Sequence, residues 1–197
     1  MNQLALFTNN ASAVPDINGL SYISEWITPD TETKLISIID QQSWICDLKR
    51  RVQHYGYLYD YKARNVTQDL YLGKLPDWLQ PLAQKLVENG LFQAAPDQVI
   101  INEYLPGQGI SSHIDCIPCF GRTIASLSLG SPCMMDFSKS AEKHSLMLEP
   151  RSLLVLSDSA RYKWQHGIAG RKTDKHDGQI ISRTRRLSLT FRNVINQ

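Results

Sequence analysis

The fold of this chain is decided by one stretch of its sequence, Val99-Ile-Ile-Asn-Glu-Tyr-Leu-Pro-Gly-Gln-Gly-Ile-Ser-Ser-His-Ile-Asp115. Val99 to Leu105 is rich in β-branched and aromatic residues and predicts a strand, and Leu-Pro-Gly-Gln-Gly predicts a turn. A second extended segment begins at Ile110 and carries His113 and Asp115. Side chains at positions i and i+2 of a strand lie on the same face, so this imidazole and this carboxylate are expected to point towards one position, as two metal ligands do.

Short strands follow this stretch towards the C-terminus. Each is rich in apolar or β-branched residues and is bounded by turn residues. The predicted strands are 98–105, 110–115, 123–130, 133–138, 145–149, 152–157, 165–168 and 185–193. A set of short strands preceded by helices predicts a mainly β fold, a jelly-roll with flanking helices packed on one of its sheets.

The first half of the chain contains two predicted helices. One runs from Pro29 to about Gln42 and begins at a Thr-Pro-Asp sequence, and the other runs from about Pro76 to Asn89. Residues 1–16 are expected to form a loose polar arm, and Leu20 to Ile27 a short strand. We expect the whole chain, residues 1–197, to form a single domain.

The composition, with 42% hydrophobic and 20% charged residues, is that of a soluble globular protein. The sequence has no long apolar stretch and no basic, apolar leader, so we expect a cytoplasmic protein that does not contact membranes. We also expect it to be a monomer. In that compartment the cysteines are expected to be thiols. Cys116-x-x-Cys119 is half of a zinc site without a second pair, and the alternative is a packed or solvent-edge pair of thiols.

Positive charge is concentrated in the C-terminal quarter, although the net charge of the chain is only +2. From Arg151 to Gln197 there are ten Lys or Arg residues and three Asp residues. Such a region suits a polyanionic or carboxylate-bearing ligand, or it is a solvated cationic face. Within it, Gly170 to Gln179 is predicted to be a mobile polar loop.

The segment of about residues 50–64 alternates aromatic side chains with basic and polar ones. Such a surface can stack on a nucleobase while an arginine or lysine binds phosphate. The alternative is a tyrosine-rich strand whose rings only pack against the protein.

His166 is the best candidate for a third metal ligand beside His113 and Asp115. It lies in a short predicted strand, Trp164 to Ile168, that follows an apolar run. Two histidines and one carboxylate on one face form the facial triad of non-haem Fe(II) oxygenases, although a His-x-Asp pair with a distant histidine also occurs by chance.

The last predicted strand supports an anionic co-substrate. Arg186 and Arg192 share one of its faces, and the other face is apolar. Burying two guanidinium groups is costly unless anions meet them, so a dicarboxylate is a natural partner. The alternative is that both arginines lie on a solvated face.

Together these residues resemble the AlkB family of Fe(II)- and 2-oxoglutarate-dependent dioxygenases over roughly residues 17–193. The motifs stand in the family's order, namely Asn102-x-Tyr104-x-Pro106-Gly107, His113-x-Asp115, Ser126-Leu-Ser-Leu-Gly130, His166-Gly-Ile168 and Arg186-x5-Arg192. Arg51-Val-Gln-His-Tyr-Gly-Tyr57 and Arg151-Ser-Leu-Leu-Val-Leu156 further resemble the dioxygenase module of the eukaryotic AlkB homologues that modify wobble uridine in tRNA. The RNA-recognition and methyltransferase modules of those homologues do not fit in this chain.

The resemblance implies a double-stranded β-helix with its core at about 98–193, and a site for Fe(II), 2-oxoglutarate and O₂. It implies that three residues bind the iron, namely His113, Asp115 and His166. It implies that Arg186 and Arg192 hold the two ends of 2-oxoglutarate, that Asn102 and Tyr104 hydrogen-bond to it, and that Ser188 replaces an Asn common in the family.

The resemblance also implies a base-handling lid at about Gln53 to Tyr61. The substrate-contacting candidates there and nearby are Arg51, His54, Tyr55, Tyr57 and Ile117. Ile117 stands where the DNA-repair founder of the family has an acidic residue that reads a cationic alkylated base. An apolar side chain cannot stabilise that charge, so a cationic alkylated base is less expected as the substrate and an uncharged base remains possible.

Three functions are therefore compatible with the sequence. The first is oxidation, by demethylation or hydroxylation, of a modified or alkylated base in RNA, tRNA or single-stranded DNA, since a base must be unstacked to reach buried iron. The second is oxidation of a protein side chain or a small molecule by the same core. The third is a non-catalytic jelly-roll that only binds.

Overall fold

The structure, a computed structural model, describes residues 14–195. Its helices and strands follow one another along the chain in this order: β1 (Leu20–Ile23), α1 (Pro29–Asp40), β2 (Val52–Tyr55), a 3₁₀ helix (Gln68–Leu70), α2 (Gln80–Glu88), β3 (Gln98–Tyr104), β4 (Ile110–His113), β5 (Ile124–Gly130), β6 (Cys133–Lys139), β7 (Glu142–Leu148), β8 (Leu153–Leu156), α3 (Asp158–Tyr162), β9 (Gln165–Ile168), β10 (Thr173–His176), β11 (Gln179–Ser182) and β12 (Arg186–Arg192).

Two antiparallel sheets form the jelly-roll that the sequence predicts. The larger sheet has the strand order β1-β8-β5-β12-β3-β2, and the smaller has the order β4-β9-β6-β7. Every predicted strand from residue 98 onward is present, with ends shifted by a few residues. One shift matters for the site, because β4 ends at His113 and leaves Asp115 beyond the sheet.

The helices pack on the outer face of the larger sheet, as predicted. Leu35 of α1 and Leu86 of α2 are buried in one apolar cluster with Leu187, Leu189 and Phe191 of β12. A second cluster fills the space between the two sheets. Because strand side chains alternate between faces, the even-numbered residues of β12 point into the space between the sheets.

Both helices begin where the sequence chemistry allows. The Thr28 hydroxyl accepts a hydrogen bond from the main-chain N–H of Thr31 at 3.2 Å and caps α1. Helix α2 begins at Gln80 rather than Pro76. The reason is that Pro81 has no N–H to donate and is tolerated only in the first helical turn.

The segment predicted to be a mobile loop instead contains the hairpin β10–β11, joined by a two-residue turn. Both turn residues, Asp177 and Gly178, have positive φ, as a tight hairpin turn requires. The buried carboxylate of Asp174 anchors the hairpin by accepting hydrogen bonds from Arg183, from Arg171 and from the main-chain N–H of Met134 in β6. This short ribbon is therefore tied to the body of the protein.

Cys116 and Cys119 form a disulfide, with their Cα atoms 5.3 Å apart. The prediction that all cysteines are thiols is wrong for this pair, because a turn over residues 117–119 brings the two sulfurs together. Bonded sulfurs offer no thiolate, which also removes the zinc half-site. Cys46 and Cys133 remain thiols.

In the described part of the chain, no helix is long and apolar enough to cross a membrane. The predicted polar arm at residues 1–16 lies mostly outside the described residues.

Candidate active site

The two candidate histidine ligands lie on neighbouring strands of the smaller sheet. His113 of β4 is directly opposite His166 of β9 in the antiparallel register. Their ring centroids are 4.6 Å apart. The strand pairing therefore fixes the distance between the two imidazoles.

Asp115 joins them from the loop after β4. One carboxylate oxygen, Oδ1, accepts a hydrogen bond from Nη2 of Arg192 at 2.7 Å. The other, Oδ2, lies 3.6 Å from Nε2 of His166. The ligand atoms of His113, Asp115 and His166 all lie within 4.8 Å of one another, so one cation could contact all three.

The protonation states suit a metal site. Nδ1 of His113 lies 2.8 Å from the carbonyl oxygen of Ser111, which can only accept, so the tautomer of the neutral ring that fits this contact has its proton on Nδ1 and offers Nε2 to a metal. Burial lowers the pKa of His166 to about 4, against the attraction of Asp115, so its imidazole is neutral at neutral pH. Burial alone would raise the pKa of Asp115, but Arg192 and the two imidazoles hold it below its usual range.

This donor set fits Fe(II). Two neutral imidazoles and one carboxylate on one side of a cation leave its other coordination positions open. Open positions are what a co-substrate and O₂ need in a non-haem oxygenase.

Two buried arginines of β12 have unused hydrogen-bond donors. Arg186 is 2% exposed, and its Nη2 donates to Oγ of Ser128 at 2.8 Å. Its Nε and Nη1, and Nε of Arg192, have no hydrogen-bond partner within residues 14–195. Buried guanidinium donors without partners are costly, so these residues fit a ligand that brings carboxylates, as 2-oxoglutarate does.

The other predicted co-substrate residues lie beside these arginines. Tyr104 is opposite Arg186 and Asn102 is opposite Ser188 in the pairing of β3 with β12. The Arg186 guanidinium lies 5.4 Å from the centre of the Tyr104 ring. Burial raises the pKa of Tyr104, so its hydroxyl stays protonated and can donate a hydrogen bond.

A cavity of about 590 Å³ connects this region to the surface. All three candidate metal ligands line it, as do Asn102, Tyr104, Ser188 and Arg192. Arg186 lies instead in a small adjoining cavity that Tyr104 also lines. Tyr104 is thus placed between Arg186 and the main cavity.

The segment of residues 50–64 contributes to the cavity, but not through the substrate-contacting candidates Arg51, His54, Tyr55 and Tyr57. Arg51 pairs with Glu103 and lies over the Trp44 ring, and Tyr55 packs edge-on against Trp78. These two side chains lie on the helix side of β2, so neither lines the cavity.

The remaining substrate-contacting candidates, Tyr57, Ile117 and His54, do not line the cavity either. Tyr57 is buried against Tyr71, and Ile117 is 47% exposed. His54 faces the interior, where its Nδ1 accepts a hydrogen bond from the main-chain N–H of Tyr59 at 3.3 Å.

Four residues of the same segment do line the cavity, namely Arg50, Tyr59, Tyr61 and Arg64. Tyr59 and Tyr61 pack edge to face with ring centroids 5.0 Å apart. Nε of Arg50 donates to Oδ1 of Asn102 at 2.7 Å. None of the four lies in β2, so alternation along that strand does not identify them, and the sequence marked only the aromatic and basic segment of about residues 50–64 as a whole.

The jelly-roll fold and the arrangement of the three candidate metal ligands are those of an Fe(II)- and 2-oxoglutarate-dependent oxygenase. Residues 4–192 match the family model described as the 2OG-Fe(II) oxygenase superfamily, and the chain belongs to this family. The enzymes of this class use Fe(II), 2-oxoglutarate and O₂, so the predicted cofactors are confirmed.

Relatives confirm the predicted resemblance to AlkB proteins. The chain is 39% identical to the uncharacterized protein L905 of Acanthamoeba polyphaga mimivirus, over 92% of this chain and 88% of that protein. It is 38% identical to the Xenopus tropicalis tRNA (carboxymethyluridine(34)-5-O)-methyltransferase alkbh8, over 89% of this chain but only 32% of that protein. The solved structure of OsALKBH1 has the same fold, with a TM-score of 0.69 at 17% identity, and covers 89% of this chain and 96% of that one.

Proposed function

We propose that this dioxygenase oxidises, by demethylation or hydroxylation, a modified or alkylated base in RNA, tRNA or single-stranded DNA. The observation that carries the proposal is the cavity lining, in which tyrosines and arginines of residues 50–64 share one cavity with the candidate iron ligands. Aromatic rings stack on unpaired bases, and guanidinium groups bind the phosphates that flank them.

The relatives support a nucleic-acid substrate. One relative carries a tRNA-modifying activity in its name, and a zebrafish relative, 28% identical, is named a probable RNA/DNA demethylase. The chain spans about a third of the tRNA-modifying protein, so the activity of that whole protein is no more than a guide.

The charge of the cavity favours an uncharged base over a cationic one. Within the described residues, Asp115 is the sole acidic side chain that lines the cavity, and Arg192 already neutralises it. Lys49, Arg50 and Arg64 add positive charge at the lining. A methylated base with a positive charge would meet no free carboxylate there.

The residues of the site have separate tasks. We assign His113, Asp115 and His166 to holding the iron, and Arg186 and Arg192 to binding the two carboxylates of 2-oxoglutarate. Tyr104 and Asn102 are assigned to orienting the co-substrate, while Tyr59 and Tyr61 hold the base and exclude water. When bound, iron supplies oxidative chemistry in which 2-oxoglutarate and O₂ become succinate and CO₂ while one oxygen atom enters a C–H bond of the substrate.

The test is a screen of modified nucleosides. The protein is incubated with Fe(II), 2-oxoglutarate and tRNA or methylated single-stranded oligonucleotides, and nucleosides and succinate are measured by mass spectrometry. We expect a nucleoside to lose a methyl group or gain oxygen in step with succinate. We also expect His113→Ala and Asp115→Ala to abolish both signals, and turnover by either variant would contradict the metal assignment.

Two outcomes distinguish the alternatives. Succinate release without any nucleoside change across the panel would favour a protein or small-molecule substrate and overturn the nucleic-acid proposal. A lack of succinate under every condition, with Fe(II) bound, would overturn the assignment of Arg186 and Arg192 to 2-oxoglutarate.

A further inference from the structure

Arg161 of α3 is a buried cation whose hydrogen bonds all go to main-chain carbonyl groups. It is 2% exposed. Its Nη1 donates to the carbonyl of Asp115 at 2.9 Å, its Nη2 to those of Cys116 at 3.1 Å and Phe120 at 3.3 Å, and its Nε to that of Gly121 at 3.3 Å. One side chain therefore donates hydrogen bonds to four main-chain carbonyl groups of the loop between β4 and β5.

This loop needs such support because it carries a candidate metal ligand outside the sheets. The pairing of β4 with β9 positions His113 against His166, but it ends before Asp115. A carboxylate on an unsupported loop would be free to leave the position where a cation contacts all three ligands.

Asp115 is consequently held by hydrogen bonds at two points. Arg192 holds its carboxylate through Oδ1, and Arg161 holds its main-chain carbonyl. With both fixed, Oδ2 remains as the oxygen near Nε2 of His166.

Arg161 also lies on the segment that leads into the second histidine. Helix α3 ends at Tyr162, and β9, which carries His166, begins at Gln165. The Arg161 side chain thus links the segment that carries Asp115 to the segment that carries His166. A guanidinium has five N–H donors in one plane and can serve several carbonyls at once, whereas a lysine ammonium has three donors at one point.

We propose that Arg161 is a positioning residue that fixes Asp115 relative to His166 and thereby sets the affinity of the metal site. This inference rests on the proposed iron ligands and is independent of the substrate. Because residues that orient metal ligands typically contribute 10- to 100-fold in affinity, we expect a loss of about that size when the side chain is removed.

The experiment measures Mn(II) binding, since Mn(II) occupies such oxygen and imidazole sites without oxidation chemistry. Arg161→Met and Arg161→Lys are compared with the wild type by calorimetry and by the electron paramagnetic resonance of free Mn(II), with 2-oxoglutarate present. We expect Arg161→Met to raise the Kd for Mn(II) about 10- to 100-fold and Arg161→Lys to have an intermediate effect.

Arg183→Met is the matched control. Arg183 is also a buried arginine, but its hydrogen bonds go to Asp174 of the hairpin and to the carbonyl of Ala169, and none of those described goes to a candidate ligand or to the loop that carries Asp115. We expect its replacement to lower Tm without changing the Kd for Mn(II). The Co(II) absorption spectrum adds a second readout, which should change in the Arg161 variants and not in Arg183→Met.

Several results would overturn the proposal. One is a folded Arg161→Met protein that binds Mn(II) as tightly as the wild type, and another is an equal loss of affinity in Arg183→Met. If Arg161→Met does not fold, an unchanged Kd and Co(II) spectrum in Arg161→Lys would overturn it. A wild-type protein that binds no Mn(II) would overturn the metal-site assignment as well, which distinguishes that failure from failure of the role of Arg161.

Discussion

Arg186 and Arg192 lie on one face of the same strand, yet their surroundings differ. Arg192 already binds a carboxylate, that of Asp115, and so helps to keep the candidate metal ligand ionised. Arg186 binds a neutral serine hydroxyl and keeps two donor nitrogens without a partner within the described chain. Within the described chain, Arg186 thus offers two unpartnered donor nitrogens to a bound anion, whereas Arg192 offers one.

Replacing Arg186 should therefore weaken the binding of 2-oxoglutarate and leave the affinity for the metal largely unchanged. Loss of charge-assisted hydrogen bonds of about 1.5–3 kcal/mol predicts that Arg186→Met raises the KM for 2-oxoglutarate by roughly 10- to 150-fold. Mn(II) affinity without 2-oxoglutarate should stay unchanged, since Arg186 contacts none of the three ligands. Succinate formation at varied 2-oxoglutarate and Mn(II) calorimetry measure the two quantities.

Arg151→Met serves as the control, because Arg151 pairs with Glu25 and Glu32 and lines neither cavity. An equal rise in KM in both variants would show that a general loss of stability, rather than a lost carboxylate contact, explains the result.

The hairpin β10–β11 is the element whose function the site does not explain. Its outward face carries Lys175 opposite Ile180, and Ile180 is 76% exposed. The carbonyl of Arg171 accepts a hydrogen bond from the main-chain N–H of Gly107, which places the base of the hairpin beside the turn between β3 and β4. The side chain of Gln108 in that turn donates to the carbonyl of Lys49, a residue of the cavity lining.

We expect this hairpin to contact the backbone of a nucleic-acid substrate. The double variant Lys172→Glu/Lys175→Glu should weaken binding of a single-stranded oligonucleotide. It should also reduce the slope of log K against log salt by about one for each phosphate contact that is lost. Fluorescence anisotropy at several salt concentrations measures both.

The control is a double variant with the same change in net charge at two lysines outside the hairpin. Lys34 lies exposed on α1, and the exposed Lys74 precedes Leu75, which is buried among the helices. The double variant Lys34→Glu/Lys74→Glu should bind nearly as the wild type does. Equal weakening by the two double variants would indicate a non-specific charge effect and contradict a role for the hairpin.

For the molecule as a whole, the sequence predicted the strands and their faces well. The alternation of Leu187, Leu189 and Phe191 with Arg186 and Arg192 identified which side of β12 packs on the helices. The pairing of β4 with β9 brings His113 and His166 together, whereas Asp115 reaches them from a loop that strand periodicity does not place.

Features that depend on loops were harder to predict. The disulfide depends on how the turn at residues 117–119 folds back, which no periodicity reveals. The hairpin had a turn signal in Asp177-Gly178, but β10 is polar and neither of the two strands shows hydrophobic alternation. Arg161 gave no motif at all, since its partners are main-chain carbonyls, whose positions exist only in the folded chain.

The stability of the metal-free protein should fall as the pH is lowered from about 6.5 to about 4. Burial lowers the pKa of both His54 and His166 to about 4, and Arg192 adds to the effect at His54. Unfolded histidines titrate near 6.5, so in this interval the unfolded chain binds protons that the folded protein does not. Each unit of pKa difference corresponds to about 1.4 kcal/mol. Urea unfolding at pH 7.5, 6 and 5 measures the decrease.

His54→Asn tests the contribution of one of these two groups. An asparagine oxygen can replace Nδ1 as the acceptor for the Tyr59 N–H but does not titrate, so we expect the decrease between pH 7.5 and 5 to be about half that of the wild type. His144→Asn, at an exposed histidine of β7, should leave the decrease unchanged. If His54→Asn and His144→Asn both retained the full decrease, neutral burial of His54 would not contribute to the acid sensitivity, which would contradict this prediction.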